Sequence, residues 1–184
     1  MKRNIFFTAA FICIAFTLFA QKQMTKTGVI DIFSETSMFT IEATNKKTAS
    51  ILNLDNGELV ASTLTLSFKF REALVEEHFN ENYIESHKFP KATFKGSIVG
   101  YKKGDFSKDG VYKVKVAGKL EIHGETRDIN ENAEITVKAG KISAKCNMVV
   151  SLANYKIKIE PSYKDRIKDE IQLKMNFAYE PVAN

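Results

Sequence analysis

Apolar and polar residues alternate along most of this chain with a period of two. In residues 37–44, Phe39, Ile41 and Ala43 oppose Thr40, Glu42 and Thr44. In residues 58–70, Leu64, Leu66, Phe68 and Phe70 alternate with Thr65, Ser67 and Lys69. Residues 91–101 place Ala92, Phe94, Gly96 and Ile98 on one face. Residues 111–123 set Tyr112, Val114, Val116, Gly118, Leu120 and Ile122 against Lys113, Lys115, Lys119, Glu121 and His123. The same rhythm returns in 129–139 (Ile129, Ala133, Ile135, Val137), in 141–152 (Ile142 to Leu152) and in 168–180 (Ile171 to Tyr179). Such alternation predicts strands with one dry and one wet face. Residues 28–33 and 48–54 read as shorter, weaker strands.

The period changes once. Over residues 72–84, Leu74, Val75, His78, Phe79 and Tyr83 gather on one side at helical spacing, and Glu72, Glu76, Glu77 and Glu81 lie mostly on the other. This predicts a short amphipathic helix lying on or over the strands. Phe89-Pro90 ends the irregular stretch, because proline disfavours helix in the residue before it. Pro161 to Ile167 reads as a loop with at most a helical turn near 162–167. Asp55-Asn56-Gly57, Lys108-Asp109-Gly110 and Ala139-Gly140 mark turns. The sum is an all-β domain of eight or nine antiparallel strands with one short helix. Closure into a barrel of about eight strands removes exposed edges and leaves room for one small ligand; a two-sheet sandwich is the competing architecture.

The first twenty residues stand apart. Met1-Lys2-Arg3-Asn4 is basic, Ile5 to Phe19 is apolar apart from Thr8, Thr17 and Cys13, and Ala20 precedes Gln21. This is the layout of a cleaved signal peptide over 1–20, with the working domain over 21–184, and the run is shorter than the roughly 20 residues of a membrane span. The expected location is the bacterial periplasm or the outside. Losing Lys2 and Arg3 leaves 25 basic against 22 acidic residues, a net charge of +3, too mild and too evenly spread for a nucleic-acid partner. Lysines such as Lys113, Lys115, Lys119, Lys138, Lys141, Lys156 and Lys158 read as a solvated face. Losing Cys13 leaves Cys146 alone, so no internal disulfide can form.

Three blocks carry a family resemblance. Lys88-Phe89-Pro90-Lys91-Ala92-Thr93-Phe94, within Phe79 to Gly96, resembles the segment that follows the helix in the YceI-like family. Gly118-Lys119-Leu120-Glu121-Ile122-His123-Gly124-Glu125-Thr126-Arg127 resembles its strand-and-turn signature, and Leu152-Ala153-Asn154-Tyr155-Lys156-Ile157 its third block. The variant His78-Phe79-Asn80-Glu81-Asn82-Tyr83 is similar to the branch found in Bacteroidetes-type bacteria. The resemblance implies a secreted lipocalin-like barrel that holds a long isoprenoid or similar amphiphilic lipid, with no reaction and no cofactor. On that reading the cavity is lined by Phe68, Phe70, Phe79, Tyr83, Phe89, Phe94, Ile98, Val116, Gly118, Leu120, Met148, Tyr155 and Phe177, with Tyr83, Phe89, Phe94 and Tyr155 at its mouth. The same bulky side chains would also suit a barrel packed solid.

Other chemistry has weaker support in the sequence. His78, His87 and His123, with Glu76, Glu81 and Glu85 near the first two, match no metal-ligand spacing; His123 reads instead as ordering its own turn. Cys146 lies on an apolar face and reads as an inert thiol. Arg127 beside Asp128 is either a head-group contact or a surface pair. No nucleophile elbow, phosphate loop or paired carboxylates occur. The competing functional readings are a metal-dependent envelope enzyme and an interaction or stress module with a filled core. The oligomeric state stays open, a homodimer included.

Overall fold

The computed structural model describes residues 21–182; the signal-peptide reading falls on 1–20, outside the described residues. Nine strands form one antiparallel sheet: β1 (Lys22–Glu35), β2 (Thr40–Asn53), β3 (Glu58–Leu64), β4 (Lys69–Phe70), β5 (Lys91–Ile98), β6 (Gly110–Ile122), β7 (Glu125–Lys138), β8 (Lys141–Ser151) and β9 (Glu170–Pro181). Hydrogen bonding runs β1-β9-β8-β7-β6-β5-β3-β2, and β2 pairs back onto β1. Eight strands therefore close a barrel. The ninth, β4, is a two-residue flap that pairs with β2 through Ala43 and Phe70.

Turn chemistry fixes the hairpins. His123-Gly124 joins β6 to β7, and Ala139-Gly140 joins β7 to β8. All four residues have positive φ, at 52° and 74° and at 50° and 75° respectively. Positive φ at both central positions is the type I′ geometry, whose twist suits flanking antiparallel strands.

Several boundaries differ from the sequence reading. The first strand is fourteen residues long rather than 28–33. Its start was hidden because inward positions there are polar: Gln23 is 2% exposed and Thr25 5%. The expected strands 37–44 and 48–54 are one, β2. Two compensating bulges, at Lys26-Thr27 and Lys46-Lys47, keep β1 and β2 in step. The fully buried Asn45 serves the second bulge: its Oδ1 accepts from the Lys47 N–H at 2.8 Å, and its Nδ2 donates to the Leu64 carbonyl at 2.9 Å.

The stretch 58–70, expected as one strand, breaks at Thr65–Ser67, a single 3₁₀ turn. Thr65 is buried, its hydroxyl donating to the Phe89 carbonyl at 2.9 Å and its N–H to the Pro90 carbonyl at 3.0 Å. The turn rotates the pattern, so Leu64 and Leu66 face water while Thr63, Thr65 and Phe68 face in. The helix expected over 72–84 is α1 (Ala73–His78) followed by one wide turn, Phe79–Tyr83, closed by the Ile84 N–H donating to the Phe79 carbonyl at 2.8 Å. The helical turn in the β8–β9 loop falls at Pro161–Tyr163.

The two ends of the barrel differ. At one end the β5–β6 loop folds inward. Phe106 lies between Tyr101 and Tyr112, with ring centroids 5.4 and 5.2 Å away, and the Tyr101 hydroxyl donates to the Leu54 carbonyl. These rings pack onto a cluster that includes Leu52, Ile98, Val137, Ile142 and Tyr179. At the other end α1, the wide turn and the β8–β9 loop gather over a second cluster of Ile84, Met148, Val150, Tyr155, Ile157 and Ile171.

Candidate functional site: an apolar cavity

Inward strand faces that carry Ile, Val, Ala and Met beside polar Thr48 and Thr63 do not fill the barrel. A cavity of about 430 Å³ remains, within the ~300–1,000 Å³ typical of small-molecule sites. Its walls are almost wholly apolar. Every barrel strand contributes: Ile30 and Ile32 from β1, Ile41 from β2, Ala61 from β3, Phe94 from β5, Val116 and Leu120 from β6, Ile135 from β7, Ala144 and Met148 from β8, and Leu173 and Phe177 from β9. Leu74, Val75, His78, Phe79 and Tyr83 roof it, and Phe39, Tyr163, Arg166 and Ile167 complete the rim. Exposed Leu74, Glu72 and Arg166 place the mouth between α1 and the β8–β9 loop.

Nine of the thirteen residues expected on the cavity lie on it: Phe68, Phe70, Phe79, Tyr83, Phe94, Val116, Leu120, Met148 and Phe177. Phe68, Phe70 and Phe79 form one aromatic group, with centroids 5.7 and 4.9 Å apart, that seats the roof on the barrel. The other four lie elsewhere. Ile98 is buried in the cluster at the plugged end. Gly118 faces Gly96 across the β5–β6 ladder, and the Phe94 ring covers both. Phe89 packs on His123, centroids 4.4 Å apart, and against Gly124. Tyr155 is 3% exposed and belongs to the cluster beneath the loops. Of the four aromatics expected at the mouth, Phe89 and Tyr155 thus pin loops to the barrel instead.

Sequence reasoning missed Ile30, Ile32, Phe39, Ile41, Ala61, Tyr163 and Ile167. The alternation of residues 37–44 was legible and pointed to Phe39 and Ile41; in 28–33 apolar residues fall on both faces, so nothing there singled out Ile30 and Ile32. For Tyr163 and Ile167, in an irregular loop, no periodic signal exists.

The polar residues sort themselves by partner. His123 does not order its own turn; it links three segments. One ring nitrogen lies 2.9 Å from a Glu85 carboxylate oxygen and the other 3.1 Å from the Tyr155 carbonyl. The Lys88 and His123 bonds hold the Glu85 carboxyl below its usual range, Lys88 contributing most. His78 sits edge-on to Tyr163, and His87 is exposed. Among the described residues no three His, Cys, Asp or Glu side chains converge as a metal site would require. Arg127 and Asp128 part company, as adjacent strand residues must: Arg127 Nε donates to the Asn154 carbonyl at 2.9 Å, and Asp128 pairs with Lys119 at 3.0 Å. Cys146 faces the cavity; burial first, and the charge of Glu131 second, push its thiol up to about 11. A thiol so far above neutrality is a poor nucleophile.

Comparison with known proteins agrees with this geometry. The family model described as YceI-like domain matches residues 8–179, so the chain belongs to that family. No curated protein matches significantly. Among solved structures, the chain is similar to a polyisoprenoid binding domain from Saccharophagus degradans implicated in plant cell wall breakdown (TM-score 0.77, 13% identity, covering 89% of this chain and 99% of that one). It is similar to Burkholderia cenocepacia BcnA (TM-score 0.69, 15% identity, 83% and 96%) and to the Campylobacter jejuni YCEI protein (TM-score 0.59, 18% identity, 77% and 85%). At these identities the likeness establishes the shared fold.

Proposed function

We propose that this member of the YceI-like family holds a long-chain amphiphilic lipid, a polyisoprenoid or isoprenoid quinone, in its barrel and carries or stores it without chemical change. The observation that carries this reading is the continuous apolar cavity of about 430 Å³ beneath a partly open roof. Each methylene that leaves water for such a wall contributes roughly 0.8 kcal/mol, so an apolar tail supplies the binding energy and needs no specific partner. The polyisoprenoid-binding description of the Saccharophagus relative, on the same fold, supports the same ligand class. The leader-like pattern of residues 1–20 supports a periplasmic or extracellular location, where a water-insoluble lipid needs a carrier. The open volume favours this reading over a solid-core interaction module.

The test is native mass spectrometry of protein purified from its own host, followed by organic extraction. A stoichiometric isoprenoid or fatty amphiphile is the expected result. An empty barrel that also refuses added quinone and polyprenol would overturn the proposal.

A further inference from the structure

One side chain on the cavity wall does not fit an apolar container. Ile129, Glu131, Ala133, Ile135 and Val137 share the inward face of β7. Four of them are apolar; the second of the five from the mouth end is a carboxylate that lines the cavity and is half-buried. Directly across the ladder is Val116, 7% exposed, itself on the cavity. The Glu131 carboxylate forms no hydrogen bond or ion pair among the described residues. An ionised group in an apolar wall is costly unless something solvates it or pairs with it.

The ladder explains how the carboxylate is tolerated. The β7–β8 pairing runs from Lys138 and Lys141 to Ala133 and Cys146, where it stops. β7 continues to Glu125 and β8 to Ser151 without pairing each other. The two strands fork, and Glu131 lies just past the last rung. At the fork the Cys146 thiol turns to the Asn132 carbonyl, 3.4 Å away. Cys146 lines the same wall, its thiol raised by burial first and by the Glu131 charge second.

We infer that Glu131 is a polar subsite in the barrel wall that accepts a hydrogen bond from the ligand, so the cavity selects amphiphiles with a hydroxyl or ammonium group over those with a phosphate or carboxylate. This rests on the lipid-binding reading and narrows it to a head-group class. The mouth carries charges of both signs, Glu72 and Arg166, and sets no such preference. Inside the barrel Glu131 is the acidic group on an inward strand face, and Lys145, the lining cation near the fork, is exposed on the outward face of β8, so a second anion beside Glu131 meets like charge. A donor head group instead supplies the partner that the carboxylate lacks, through a charge-assisted bond.

The experiment uses purified protein freed of bound lipid and three ligands with the same tail: dodecylamine, dodecanol and laurate, each below its micelle concentration. Affinities are read by displacement of a fluorescent apolar probe and by native mass spectrometry. The expected result is that the amine and the alcohol bind at least roughly tenfold tighter than laurate, the factor a hydrogen bond to a charged group provides. Glu131→Gln keeps the shape and should bring amine and laurate to within about threefold of each other, whereas Glu134→Gln, on the outward face of the same strand, should leave the preference intact. Laurate binding as tightly as the amine in the native protein, or a preference that survives Glu131→Gln, would overturn the subsite while leaving lipid binding in place. Failure of all three ligands to bind would remove the lipid reading itself, and the subsite with it.

Discussion

His123 and Glu85 join the β6–β7 turn to the segment that follows the cavity roof, nitrogen to carboxylate at 2.9 Å. The other His123 nitrogen faces the Tyr155 carbonyl at 3.1 Å. A carbonyl only accepts, and so does the ionised Glu85 carboxylate. The ring thus spans two oxygen acceptors from two different loops. Glu85 and His123 both sit at positive φ, 46° and 52°, as does Lys156 at 55° next to Tyr155. Three left-handed non-glycine residues at one junction mark a backbone that the surrounding bonds hold in place.

Replacing His123 by Ala should loosen that junction. Phe89 loses the ring it packs on, and Glu85 and the Tyr155 carbonyl lose their donor. The expected outcome is faster amide exchange in residues 79–89 and 152–157, with the strands β5 and β6 unchanged. Uniform exchange behaviour across the native protein and His123→Ala would remove the latch role.

Acid should weaken the same end of the molecule. Glu85, Glu76 and Glu125 all have carboxyls held below the ordinary value, mainly by Lys88, Lys69 and Lys156 respectively. A depressed folded pKa means the unfolded chain binds the proton first, so stability is present above the unfolded value of about 4.5 and is lost as pH falls through the folded values. The lysine partners are exposed, so salt should shrink the effect. Urea midpoints measured from pH 6 down to about 3, at low and high salt, check this; replacing all three glutamates by glutamine should flatten the low-salt slope.

Base should weaken the plugged end. Burial pushes the Tyr179 hydroxyl up to about 12. The Ser50 hydroxyl donates to the Val60 carbonyl at 2.9 Å, so at the 2.9 Å Tyr179–Ser50 contact the tyrosine is the donor. A raised folded pKa gives stability that is complete below the unfolded value of 10.0 and is lost as pH rises towards about 12. Tyr179→Phe should cost about 1 kcal/mol at neutral pH and remove that alkaline loss. A steep alkaline loss that persists in Tyr179→Phe would assign it to another group.

Two small residues separate cavity filling from barrel closure. Ala144 lines the cavity, so Ala144→Phe should leave a folded barrel, at a cost of roughly 1–3 kcal/mol, that no longer takes up lipid. Gly118 does not line it. A Cβ at Gly118 would come 2.4 Å from the Gly96 Cα and 2.5 Å from the Lys95 carbonyl oxygen. Gly118→Ala should therefore unfold or aggregate the protein through loss of β5–β6 pairing. Circular dichroism and lipid uptake measured together distinguish the two; a stable, lipid-binding Gly118→Ala would contradict the close approach.

Much of this was readable from alternation. The faces of β6, β8 and β9 match their period-two patterns residue by residue, because each strand has one face in the barrel and one in water. Where inward positions are polar, as at Gln23, Thr25, Asn45 and Thr48, hydrophobic pattern has nothing to report, so β1 looked short and β2 looked broken. At Thr65 the pattern misled: Leu64 and Leu66 continue the rhythm, but hydrogen bonds to Phe89 and Pro90, twenty-four and twenty-five residues on, turn the chain over.

The sequence by itself determined the antiparallel all-β class, a barrel of about eight strands, the short helix and the family, since these depend on local periodicity, turn chemistry and contiguous motifs. Only the tertiary structure decided which apolar side chains face empty volume. Ile98 and Phe94 share a strand face, yet one is buried against Phe106 at the plugged end and the other lines the cavity. Inwardness is a property of the strand, but vacancy depends on what the opposite wall and the two ends bring in, and those come from residues distant in sequence. The same holds for Glu131, whose place in the wall is set by parity and whose exposure is set by where β7 and β8 part.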